Sequence, residues 1–172
     1  MRFVRFALAV ALVSLCTVAY AQSDSKKTFE TLKTLAGTWE GVITTVPKTP
    51  EMDGKIMTVT LRVTSMGHTL MHEMTAPGRP DDPITMLYVE DDRLMLMHFC
   101  DANNRPRMSG KVSEDGKSVE FEFLDVTGNM KHGHMHRAKF NFIDADHHTE
   151  DWMFMVPGDQ VFHAHVELKR KQ

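Results

Sequence analysis

Phe29-Glu30-Thr31-Leu32-Lys33-Thr34-Leu35-Ala36-Gly37-Thr38-Trp39-Glu40-Gly41 is the stretch where the chain changes its period. Upstream of Gly37, the apolar residues Phe29, Leu32 and Leu35 recur every three positions, as one face of a helix does. Thr28 stands where an N-cap belongs and Gly37 where a helix stops, so the spacing predicts a short amphipathic helix over 28–36. From Thr38 onward that spacing vanishes. Apolar and polar residues alternate instead, and turn residues interrupt them at short intervals.

The alternation predicts strands near 39–46, 55–65, 69–76, 84–89, 94–100, 107–112, 118–125, 134–143, 149–156 and 161–169. Breaks such as Met52-Asp53-Gly54, Pro77-Gly78-Arg79-Pro80, Glu114-Asp115-Gly116 and Pro157-Gly158-Asp159 are short enough for hairpins, which implies an up-and-down antiparallel order. About ten strands in one flat sheet would leave long unpaired edges, and closure removes them. The expected fold is therefore all-β, an antiparallel up-and-down barrel of about ten strands with one N-terminal helix. A two-sheet sandwich is the alternative.

Outward from that domain lie the ends. Arg2 and Arg5 precede an apolar run from Phe6 to Val18, and Ala19-Tyr20-Ala21 follows with small residues at the cleavage spacing. This is the layout of an export signal over 1–21, and a run of about thirteen apolar residues is short for a membrane span of roughly 20. The protein is thus expected to be exported, to the periplasm or beyond, with no transmembrane segment left after cleavage. Residues 22–27 are polar and read as a flexible tether, and 28–172 as the barrel domain. The whole chain carries a formal charge of −3, and losing two arginines makes it about −5. Its charges are interspersed with no basic stripe, which argues against nucleic acid as a partner. Only Cys100 survives cleavage, so the core holds the fold without an internal disulfide, and that thiol is either buried or has a task.

Ten histidines and 14 methionines need an explanation. Met fills gaps in cores and lines soft pockets. His132-x-His134-x-His136 would place three imidazoles on one face of a strand, with neighbouring Cβ atoms about 7 Å apart. Two such rings can converge on one transition-metal ion, and the plainer reading is a solvated strand start with His132 still in a turn. His134, His136 and His148 are the metal-ligand candidates. His98 and Cys100 share a face; with Arg107 and Met108 they suggest a polar patch inside the barrel, where Arg107 could meet an anionic head group or make a surface ion pair. His148, Glu150 and Trp152 also align by alternation, although the plainer reading of His147-His148 is a turn entry with exposed rings and one core Trp. The expected ligand-lining set is His98, Cys100, Arg107, Met108, His134, His136 and Trp152. No phosphate loop, nucleophile elbow or Cys-x-x-Cys is present, so a binding protein is expected ahead of an enzyme.

The Gly37-x-Trp39 entry to the first strand resembles that of lipocalin-like barrels. The resemblance implies that Trp39 plugs the closed end and that Arg170, near the end of the last strand, packs over it, a guanidinium on an indole face. With Glu40-Gly41 after the Trp, the segment also looks like the start of nitrobindin-like barrels. That likeness implies haem as a cofactor, held by a histidine near the C-terminus, which His163 or His165 would match. His98-Phe99-Cys100-Asp101-Ala102-Asn103-Asn104-Arg105-Pro106-Arg107-Met108, His134-Met135-His136 and His147-His148-Thr149-Glu150-Asp151-Trp152 are similar to an uncharacterised group of secreted bacterial lipocalin-like proteins. It implies a fold over most of the chain and no activity. The functional expectations are a small, mostly apolar ligand in the barrel; alternatively a histidine-held metal or haem; or an envelope module that binds a protein partner.

Overall fold

Alternation becomes ladder in the computed structural model, which describes residues 24–78 and 82–172. The strands are β1 (Gly37–Val46), β2 (Ile56–Thr64), β3 (Thr69–Thr75), β4 (Ile84–Glu90), β5 (Arg93–Phe99), β6 (Asn104–Val112), β7 (Ser118–Gly128), β8 (His134–Phe142), β9 (His147–Val156) and β10 (Gln160–Arg170). Each pairs antiparallel with the next in sequence, and β1 pairs with both β2 and β10, so the sheet closes on itself. The export signal expected over 1–21, the first two tether residues, and Arg79 and Pro80 of one expected turn lie outside the described residues. Among the described residues no helix is long and apolar enough to cross a membrane.

The turns follow from residue chemistry. Asp91 and Asp92 join β4 to β5 with φ of 47° and 57°, the pair of left-handed residues that a type I′ hairpin requires. The helix differs from expectation. Its described part spans 24–33 (α1), so it takes in part of the polar run expected to be a tether, and Thr28 is a buried residue inside it rather than its cap. The regular helix then stops at residue 33, because the amides of Thr34, Leu35 and Ala36 each turn to the carbonyl three residues back at 3.0 Å, a tighter winding.

Phe29, Leu32 and Leu35 are buried against the barrel, as is Trp39. The Trp39 Nε1 donates to the Leu35 carbonyl oxygen at 2.7 Å, which ties the helix exit to the indole across one end. Arg170 caps that end. Its guanidinium carbon sits 4.0 Å from the Trp39 ring centre, and it donates to the carbonyls of Ala36, Thr34 and Ala145. Gly37 permits this. Its φ is +140°, and a Cβ there would stand 2.6 Å from the Arg170 Nη1.

Inner faces carry Ile43, Val59, Leu70, Leu87, Leu96, Met108, Phe121, Phe140, Trp152 and Val166, one or more per strand, all buried. Two bulges interrupt the alternation: Leu124 is the extra residue opposite the Arg107–Met108 step, and His136 the extra residue between Met135 and Arg137. The β7–β8 ladder ends at Glu122 opposite Arg137, so the following residues of β7 and the first of β8 splay apart.

Candidate functional site: a cavity above a buried carboxylate

Going inward from the plugged end, the first polar group is His148, whose ring stands edge-on to Trp39 at 4.3 Å. Next is Glu150, fully buried. Its Oε1 lies 3.0 Å from His148 Nε2, and its Oε2 lies 2.9 Å from His72 Nε2 and 3.0 Å from Trp152 Nε1. Burial would push this carboxyl up, but the two imidazoles outweigh it and hold Glu150 well below the usual carboxylate range. An ionised carboxylate only accepts, so both Nε2 atoms and the indole nitrogen carry the hydrogens. The contact from β9 to β3 is made through the interior, since the two strands are not ladder neighbours.

One layer further, Thr85 Oγ1 meets His98 Nδ1 at 2.8 Å, with the His98 ring 5.9 Å from the Trp152 ring. Burial, with the facing His72 adding to it, pushes His98 down to about 4, so the ring is neutral at pH 7. Above this polar floor opens a cavity of about 210 Å³. His72, Thr85, His98 and Trp152 line its base, while Ile43, Met52, Met74, Met135, Phe154 and Phe162 make apolar walls. Pro83, Cys100, Asp101 and Ala164 complete the lining.

Three residues of the expected lining set, His98, Cys100 and Trp152, therefore face this cavity. The other four do not. Met108 is inward but packed in the solid core between Leu96 and Phe123. Adjacent strand residues face opposite sides, so Arg107 points out, where it grips Asp125 through Nε and Nη2. His134 and His136 also lie off the cavity. His134 pairs with Met155, opposite in phase to the inward Phe154, and His136 occupies the bulge. His132 is exposed in the turn before β8. The expected trio His134, His136 and His148 does not converge: His148 pairs with Phe142, eight residues along β8 from His134, or roughly 26 Å at strand rise. His148 is fully buried rather than a solvated turn residue. His163 and His165 pair with Met153 and Asp151 on the outer face, away from the cavity, and so do not match an internal haem ligand.

His72, Thr85 and the role of Glu150 escaped the sequence reading. A signal was there: His72 alternates in phase with Leu70 and Met74, and Glu150 with Trp152, and a polar residue in phase with core residues is a candidate for a buried network.

No family model matches the chain, and no curated protein matches it in sequence. Solved structures do match in shape. Rv2717c from M. tuberculosis is similar with a TM-score of 0.58 at 17% identity, over 84% of this chain and 98% of that one. A protein of unknown function of the DUF3598 family from Nostoc punctiforme is similar with a TM-score of 0.56 at 13% identity, over 81% of this chain. The match takes in 48% of the Nostoc chain, about half its length. At such identities the likeness speaks for fold alone. Together with the closed ladder of ten strands, it fits a calycin-like barrel fold.

Proposed function

We propose that this is an exported, lipocalin-like binding protein that holds a small, mostly apolar molecule in its barrel. The observation that carries the reading is the cavity itself, with apolar walls from Ile43, Met74, Phe154 and Phe162 over a polar floor. Ligand sites have this composition: greasy walls and a few fixed polar groups that orient the guest. Volume sets the size class. A cavity of about 210 Å³ is below the ~300–1,000 Å³ of drug-sized pockets and above the ~150 Å³ that accommodates benzene. Medium-chain alcohols and single-ring aromatics are of this size. Export is supported by the charged, apolar and small-residue sequence of the first 21 positions.

The test is calorimetric titration with 1-octanol. At ~0.7 kcal/mol per heavy atom, binding with a Kd of about 10–100 µM is expected. Ala164 lines the cavity, so Ala164→Leu fills it and should weaken octanol at least tenfold without lowering thermal stability. No heat of binding in the parent protein, or equal binding in the filled variant, contradicts the reading.

A further inference from the structure

The histidines that miss the cavity have their own geometry. In an unbroken strand, side chains two residues apart stand roughly 7 Å from one another. Here the bulge at His136 turns its ring back toward His134, and His134 Nε2 comes to 3.2 Å from His136 Nδ1. Two nitrogens bound to one tetrahedral ion at ~2.0–2.1 Å are separated by about 3.3 Å. The two rings thus already hold the spacing of a chelate, at present bridged by a hydrogen bond. Phe123 fixes them, stacked on His136 at 15° and 4.9 Å and lying 4.7 Å from His134, in the space where β7 and β8 part.

The backbone under this pair is pinned on two sides. Asn104 Nδ2 donates to the carbonyls of Asn129 and Gly133, at 2.8 and 2.7 Å. Gly133 has a φ of +87°, and a Cβ there would sit 2.2 Å from the Met155 carbonyl oxygen, so β8 starts hard against β9. This contact fixes the ladder partner of His134, which is Met155 on the same outer face. Directly paired residues place their Cβ atoms ~4.5–5.5 Å apart, within reach of a thioether. The neighbouring Met153 lines the same groove as His136.

We propose that His134 Nε2 and His136 Nδ1 chelate a copper ion, with the Met155 thioether as third donor. Among the described residues no three His, Cys, Asp or Glu side chains are placed to hold a metal ion together, so a third protein donor beside this pair is of another type. The acidic side chain in the groove, Glu122, is held by Lys111 at 2.9 Å. Imidazole with thioether is a donor set for Cu(I) and Cu(II) rather than for zinc, which favours thiolate, imidazole and carboxylate. Copper takes the place of the shared hydrogen bond. The ring that donated it keeps its proton by moving it to its other nitrogen, so both rings stay neutral and no electron is transferred.

The test uses the mature chain, with Cu(I) titrated against a chromophoric chelator and Cu(II) followed by electron paramagnetic resonance. One equivalent is expected, with hyperfine structure from two nitrogens in the parent protein. His136→Ala should weaken Cu(I) at least thirtyfold and remove the two-nitrogen pattern. Met155→Leu should weaken Cu(I) about tenfold and leave Cu(II) within threefold. His132→Ala, in the exposed turn, should change neither. The resonance pattern of the unaltered protein stands whether or not a variant folds. Absence of a stoichiometric copper, a one-nitrogen pattern in the parent, or copper that survives His136→Ala on exposed histidines would overturn the assignment. None of these results bears on octanol in the cavity.

Discussion

Glu150 and His98 set opposite terms at the residue scale. A carboxylate buried without cationic or hydrogen-bonding partners would cost several kcal/mol, and His72, His148 and Trp152 meet that demand with one hydrogen bond each. His98 solves burial the other way, by staying neutral. Its folded value of about 4 lies below the ordinary 6.5, so the folded state takes up that proton less readily than the unfolded chain. No stability is lost to it above pH ~6.5; between pH 6.5 and 4 the unfolded chain gains the proton first, and stability falls by up to about 3 kcal/mol. Glu150 works at lower pH, since its depressed carboxyl contributes stability above the unfolded carboxylate range, lost as pH falls further. Urea denaturation between pH 7 and 4 should show this slope, and His98→Asn should flatten it; an identical slope in the variant contradicts the assignment. Less than half of the candidate site was legible at this scale. His98, Cys100 and Trp152 share the cavity because alternation put them on inward phases. Arg107 beside Met108 could not both face inward, and the bulge at His136 is a register event that no residue count reveals.

Among the elements, closure depends on how α1 and the two terminal strands meet. The guanidinium of Arg170 covers Trp39 and satisfies carbonyls at the end of the helix segment and at the β8–β9 turn. Replacing Arg170 with Ala removes a cation–π contact and three hydrogen bonds, some of them half-exposed, and should cost about 2 kcal/mol. Arg170→Lys keeps charge without the planar fork and should recover less than half of it. Thermal denaturation of both variants measures this, and a loss under 0.5 kcal/mol for Ala, or full recovery by Lys, contradicts the capping role. The strands were readable because a half-buried barrel wall forces period two, and all ten appear within a few residues of their expected places. The helix was placed less well because its residues 24–27 are polar on every side and show no apolar face.

Over the whole molecule, the barrel is a solid core at the Trp39 end and hollow at the other, with the Glu150 network between them. The methionines report on this division because they are spread through it. Met52, Met74 and Met135 line the cavity, Met108 and Met57 are packed in the core, and Met66 is 99% exposed. Methyl-¹³C-methionine NMR during titration with 1-octanol therefore reads the hollow directly. The account predicts saturable shifts at Met52, Met74 and Met135, with Met66 unmoved. Shifts spread evenly over all methyl groups, or none at saturating octanol, would contradict it.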